Sequence, residues 1–142
     1  MDVSPPRSLS PTRLRVAEGP ARILLVEDDV LVSEACSMLL EDFGYSVRRA
    51  DSADEALAVL ESGETFDLVF SDVRMPGTSG LELARTVAAR YPHLPVLLTT
   101  GYSSAAAEAI ASGFPLISNP YLPADVQRAI AAALRQSSRT GL

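Results

Sequence analysis

The stretch "RILLVEDDVLVSEACSMLL", residues 22–40, decides the fold, because a short Leu-rich run gives way across three carboxylates to a helical pattern. "RILLVE" is apolar on consecutive positions, as a strand buried on both faces is, and does not alternate as a half-exposed strand would. The same strand-then-helix unit recurs along the chain. "YSVRRA" precedes "DEALAVLESG", "DLVFS" precedes "LELARTVAARY", "PVLLTT" precedes "SSAAAEAIASG", and "PLIS" precedes "PADVQRAIAAALRQ". Five strand candidates and five helix candidates in strict alternation predict an α/β chain with a parallel sheet and helices on both faces.

Local signals mark the boundaries. Gly44 stands where the first helix should end, since a residue without Cβ enters the left-handed conformation at little cost. Ser52 and Glu55 have capping-box spacing ahead of the second helix, and Pro123 suits the first turn of the last one, having no N–H to leave unpaired. Residues 1–20 carry four prolines among Ser and Arg with no period of 2 or 3.6, and read as a mobile tail, or else as a tether or docking arm. Residues 21–136 form one domain, and residues 137–142 read as a flexible C-terminus too short for an output domain.

A length of 142 residues suits a single domain with its own core. The formal charge of −6 argues against general affinity for nucleic acid or acidic membrane surfaces, which are held by clustered cations. All twelve cationic side chains are arginines, so the chain has no lysine. No apolar run approaches the roughly 18 residues of a membrane span, no signal-peptide core is visible, and a cytoplasmic location is expected. Cys36 is the only cysteine and reads as a small apolar side chain within a helix.

In a doubly wound sheet the ligand site lies outside the carboxyl ends of the strands. The first strand ends in Glu27, Asp28 and Asp29, the third in Asp72, the fourth in Thr99 and Thr100, and the fifth in Ser118 and Asn119. Carboxylates brought together from two strands repel one another unless a counterion intervenes. A hard divalent cation removes that conflict: Mg²⁺ takes oxygen ligands and retains waters. The alternative for the double Asp is a solvated turn and helix N-terminus, where the dipole favours negative charge. Thr99 is expected to face packing while Thr100 faces the site, since strand neighbours point opposite ways. Pro76, Gly77 and Gly80 shape the loop after Asp72. His93 reads as an exposed loop residue, and Tyr102 as a partner surface or a structural ring.

These residues match a family. "ILLVEDD", "DLVFSDVRMPGTSGLEL", "PVLLTTGY" and "NPYLPADVQRAI", in that order over about residues 21–136, resemble the receiver domain of bacterial two-component response regulators. The resemblance implies a flavodoxin-like (CheY-like) five-stranded parallel sheet of order 2-1-3-4-5, with Asp72 as phosphoacceptor. It implies Mg²⁺ held by Asp28, Asp29, Asp72 and the main-chain carbonyl of Arg74, with Thr100 as the hydroxyl that reorients toward the phosphoryl group. It also implies a cis bond before Pro120, and as partners a histidine kinase or histidine phosphotransfer protein together with a downstream protein target. Monomer or weak homodimer is the expected state, with no nucleic acid or membrane partner.

Two positions depart from the family pattern. Asn119 holds the place of the usual Lys and supplies a hydrogen bond without positive charge. Leu116 stands where many receivers carry an aromatic switch residue, a feature shared with hybrid-kinase receivers, so a stand-alone receiver and one related to a hybrid kinase both remain open. Three functions follow: a phosphoacceptor in a phosphorelay, a pseudo-receiver that binds proteins without phosphate, or a phosphohydrolase on a similar sheet. The third is disfavoured, because Arg74 occupies the place two residues after Asp72 where such enzymes carry a second Asp, and no enzyme activity is expected.

Overall fold

The computed structural model describes residues 20–100, 110–118 and 121–140, with 136–140 described by backbone alone. Five strands, β1 (Arg22–Val26), β2 (Ser46–Ala50), β3 (Leu68–Asp72), β4 (Val96–Thr100) and β5 (Leu116–Ser118), form one parallel sheet in the order β2-β1-β3-β4-β5. Helices α1 (Val30–Asp42), α2 (Ala53–Glu61) and α3 (Gly80–Arg90) connect the first four strands, and α4 (Pro123–Thr140) follows β5. This is the expected fold class and strand order. Residues 110–112 are helical and belong to the fourth helix candidate, most of which lies outside the described residues.

Alternation along each central strand divides the core into two layers. Leu24, Val26, Val69 and Leu98 face α2 and α3, packing on Ala56, Val59, Leu83 and Val87. Ile23, Leu25, Leu68, Phe70 and Leu97 face the other way, onto Cys36 and Leu40 of α1 and Val126 and Ile130 of α4. Each run is therefore apolar throughout because both faces are covered. At one edge β2 exposes Arg48 and Arg49, charges that discourage pairing with another sheet edge.

Helix caps follow from side chains near each start. Ser52 Oγ accepts from Glu55 N–H at 3.0 Å, but the Glu55 carboxylate reaches Asp51 N–H at 2.6 Å, one residue before the cap, so the expected box closes on only one side. A complete capping box occurs instead at Ser79 and Glu82, at 3.1 Å in both directions, a spacing present in the sequence ahead of α3. Gly44 ends α1 at φ +99°, as expected. α4 runs through Thr140, four residues past the limit of 136 expected for the domain. No Gly or Pro interrupts the helical ladder before Gly141.

Candidate functional site

Because β1 and β3 are direct neighbours, with Val26 opposite Ser71, the residues that follow them emerge side by side. Glu27 extends β1 by one more bond, its N–H donating to Ala50 O at 3.1 Å, and this keeps its side chain over the sheet end. One carboxylate oxygen from each of Glu27, Asp28 and Asp72 lies within 4.8 Å of the others. Among the described residues this is the one such acidic group.

The acidic pair is thus displaced by one residue from the sequence expectation. Asp28 and Asp72 converge as anticipated, whereas Asp29 does not join them. Its Oδ1 accepts the N–H groups of Leu31 and Val32 at 3.0 and 3.1 Å, making Asp29 the N-cap of α1. Two helix N–H groups with no intrahelical acceptor hold that carboxylate, so the plain turn reading applies to it. Glu27 takes its place in the cluster and also accepts from Asp29 N–H at 3.0 Å.

The electrostatics of the cluster reflect crowding. Partial burial, with repulsion from Asp72 and Asp28, pushes Glu27 from 4.5 up to about 7, although the Asp29 N–H opposes the shift. Burial also raises Asp72, aided by the negative charge of Asp28 and opposed by the N–H groups of Arg74 and Val73. Arg74 lies in the exposed loop just beyond, its N–H donating to Asp72 Oδ1 at 3.4 Å. An all-oxygen set in which each added negative charge is costly fits a hard divalent cation such as Mg²⁺.

The backbone beneath Asp72 is held tightly. Val73 N–H donates to Thr99 O at 2.8 Å, and Gly80 N–H donates to Val73 O at 2.9 Å, folding the loop back over the strand end. A Cβ on Gly80 would lie 2.0 Å from the Asp72 carbonyl oxygen, closer than any side chain tolerates. Gly80 therefore does more than shape a loop: it lets α3 start against the main chain of Asp72.

Thr99 and Thr100 both end β4 and are buried, at 7% and 1% exposure. Thr99 pairs in register with Asp72 and borders the site through a cleft of about 10 Å³, the room one water needs, shared with Glu27, Asp72, Cys36 and Tyr121. Thr100 is one residue further on, opposite Ser118 of β5. Within the cleft Cys36 and Tyr121 lie together, and burial lifts the thiol to about 11 and the phenol higher still, so both stay neutral. Around the rim Val30, Leu31 and Leu122 are exposed apolar side chains, at 67%, 76% and 67%. Leu116 is half-buried and packs with the layer that holds Leu98. Asn119, Pro120 with its expected cis bond, and Tyr102 lie outside the described residues.

Comparison with known proteins agrees with this arrangement. Residues 23–122 match the response regulator receiver domain family. The response regulator protein FleR of Pseudomonas aeruginosa is 48% identical over 95 residues, covering 66% of this chain and 20% of that protein. The transcriptional regulatory protein FixJ of Azorhizobium caulinodans is 35% identical over 122 residues, 82% of this chain and 56% of its own length. The chain therefore spans between a fifth and little more than half of these curated relatives. A receiver domain structure from Clostridium thermocellum superposes with a TM-score of 0.77 at 28% identity, covering 84% of this chain and 98% of that one. A CheY-like receiver from Methanospirillum hungatei gives 0.77 at 29%, covering 86% and 99%. With the matched region running from β1 to the start of the last helix, the chain belongs to the response regulator receiver domain family.

Proposed function

We propose that this domain accepts a phosphoryl group on Asp72 from a histidine kinase or histidine phosphotransfer protein and signals through protein contacts, as part of a cytoplasmic two-component relay. The observation that carries the reading is the convergence of Glu27, Asp28 and Asp72 at one sheet end, with buried Thr99 lining the cleft beside them. Glu27, Asp28 and Asp72, with the main-chain carbonyl of Arg74, are the groups that would hold Mg²⁺; Asp29 is not, being occupied by the helix cap. A divalent cation there supplies the positive charge that keeps the carboxylates ionised and offsets charge on the incoming phosphoryl oxygens.

An ionised Asp72 oxygen attacks phosphorus, a P–O bond forms, and the P–N bond to the donor imidazole breaks, the imidazole leaving with its electron pair. Arg74 N–H steadies the other Asp72 oxygen. Thr100 is the hydroxyl assigned to the phosphoryl oxygens afterwards. Val30, Leu31 and Leu122 offer the donor an apolar docking rim, while Tyr121, half-buried against the cleft, contributes less than its neighbour. Intact-mass measurement with Mg²⁺ and a small phosphodonor tests the reading: the chain gains one phosphoryl group and Asp72→Asn gains none. Equal masses for the two after treatment sink it.

A second reading has its own support. Asn119 in place of Lys removes a charge-assisted hydrogen bond, on the order of 1–3 kcal/mol, and Leu116 provides no ring to swing. On that reading the fold binds its partner with or without phosphate. Partner affinity unchanged between phosphorylated protein and Asp72→Asn selects it.

A further inference from the structure

The cleft under the acidic cluster follows from strand parity. Leu25, Phe70 and Leu97 lie on the face of the sheet that α1 and α4 cover, and the residues two further on, Glu27, Asp72 and Thr99, fall on that same side. Thr100 has the parity of Leu98, which belongs to the opposite layer. Thr99 is therefore the threonine that shares a cleft with both carboxylates.

Tyr121 enters the same cleft from another element. Leu122, the next residue, accepts the N–H groups of Asp125 and Val126 at 3.0 and 3.2 Å through its carbonyl, so α4 is anchored immediately after the tyrosine. The ring packs in the layer of Cys36 and Phe70, which satisfies its carbon atoms but leaves its hydroxyl to find polar company. Burial first, then the neighbouring thiol and the negative charges of Glu27 and Asp72, hold the phenol above its usual value. Tyr121 is thus a neutral O–H donor within electrostatic reach of both carboxylates. With no lysine in the chain, no ammonium group can serve in its place.

Donors and acceptors in the lining balance. Ionised Glu27 and Asp72 offer acceptors alone, whereas Thr99 and Tyr121 each carry an O–H. Ser71 Oγ, also on the lining, is already spent on the Asp72 carbonyl at 3.0 Å. A volume of about 10 Å³ suits one water, which needs two to four polar partners to be held. We propose that Tyr121 is a positioning residue for the acidic cluster: its hydroxyl and that of Thr99 donate to one water in the cleft, and that water donates to Glu27 and Asp72. The buried side of the phosphoacceptor is then fixed by neutral donors, one of them on the segment that leads into α4. The effect on phosphoryl transfer rests on the phosphoacceptor reading, but the contact itself does not.

Isotope-labelling the full chain at the tyrosine carbon that bears the hydroxyl tests the contact with no cation or phosphate present. The chain has four tyrosines, and the resonance lost in Tyr121→Phe is that of Tyr121. Asp72→Asn and Glu27→Gln each turn one acceptor into a donor and shift this resonance, leaving that of Tyr91, at the other end of the sheet, in place. Thr99→Val shifts it too, and Thr99→Ser, which keeps the hydroxyl, does not. A Tyr121 resonance unmoved by both carboxylate substitutions overturns the proposal, as do equal shifts from Thr99→Val and Thr99→Ser. Kinetics give the second arm. Tyr121→Phe keeps the ring and slows phosphoryl uptake about ten-fold at saturating small phosphodonor, the effect of one hydrogen bond, with the half-saturating donor concentration unchanged. An unchanged maximal rate overturns the positioning role. A wild-type chain that takes up no phosphate rejects the phosphoacceptor reading instead, and the resonances then decide the contact alone.

Discussion

The two ends of the sheet handle charge in opposite ways. At the amino end carboxylates meet cations: Arg22 and Arg48 share Glu64 at 2.7 and 3.4 Å, and Arg90 meets Glu61 at 2.7 Å. At the carboxyl end three carboxylates are brought within 4.8 Å of one another, and burial with mutual repulsion raises two of them. Like charges do not gather at a strand end for the sake of folding, since each would be less costly apart. The amino end is therefore tuned for stability, and the carboxyl end carries a cost that only a ligand offsets.

The largest effect should come from the backbone under the cluster. Gly80→Ala sets a methyl where the Asp72 carbonyl stands, 2.0 Å away, so α3 or the strand end must move. A loss of about 1–3 kcal/mol is expected in urea unfolding, with reduced phosphoryl uptake. Thr65→Ala, exposed at the amino end, should change stability by no more than about 0.5 kcal/mol. Equal losses from the two substitutions would remove the contrast between the ends.

A smaller effect follows from Glu27. Its carboxyl titrates near 4.5 in the unfolded chain and near 7 in the folded one, so between those values the native state holds a proton that the unfolded state has released. Stability without divalent cation should fall as pH rises from about 4.5 to 7 and then level off. Discounted for the solvent screening of a half-exposed group, the change attributable to Glu27 is about 1 kcal/mol. Glu27→Gln should flatten the slope, and Mg²⁺ should restore stability at pH 7.5 in wild type more than in Asp28→Asn. Thermal melts at pH 5 and 7.5 decide the matter; identical pH profiles for wild type and Glu27→Gln would show that the cluster is not strained.

Much of this was readable before any coordinates. The runs through Leu24, Val69 and Leu97 are apolar on consecutive positions because parallel strands are covered on both faces, and that pattern predicts the sheet, while its strand order is what the family resemblance implies. That strand ends fall at one edge also singles out Asp72, which joins the cluster; of the two threonines it is Thr99, expected to face packing, that lines the cleft. Which of three consecutive acids turn inward was not legible, because that depends on the backbone of a turn and on Asp29 capping α1, and neither has a period. The close approach of Gly80 to Asp72 depends on how the loop between them folds back over the strand end, and no periodicity announces it.

The smallest effect sharpens the contrast from the stable side. Arg90 and Glu61 bridge α3 and α2 at 2.7 Å, yet each side chain is 56% exposed. Water screens the pair and ordering two long side chains costs entropy, so a double-mutant cycle with Arg90→Ala and Glu61→Ala should give about 0.2–1 kcal/mol, vanishing toward 1 M salt. The same salt should ease the repulsion at the carboxyl end and stabilise it slightly. Salt thus separates the two ends by sign: it weakens what holds the amino end and relieves what strains the carboxyl end. A coupling that survived high salt would mean that the α2–α3 bridge is held by packing and not by charge.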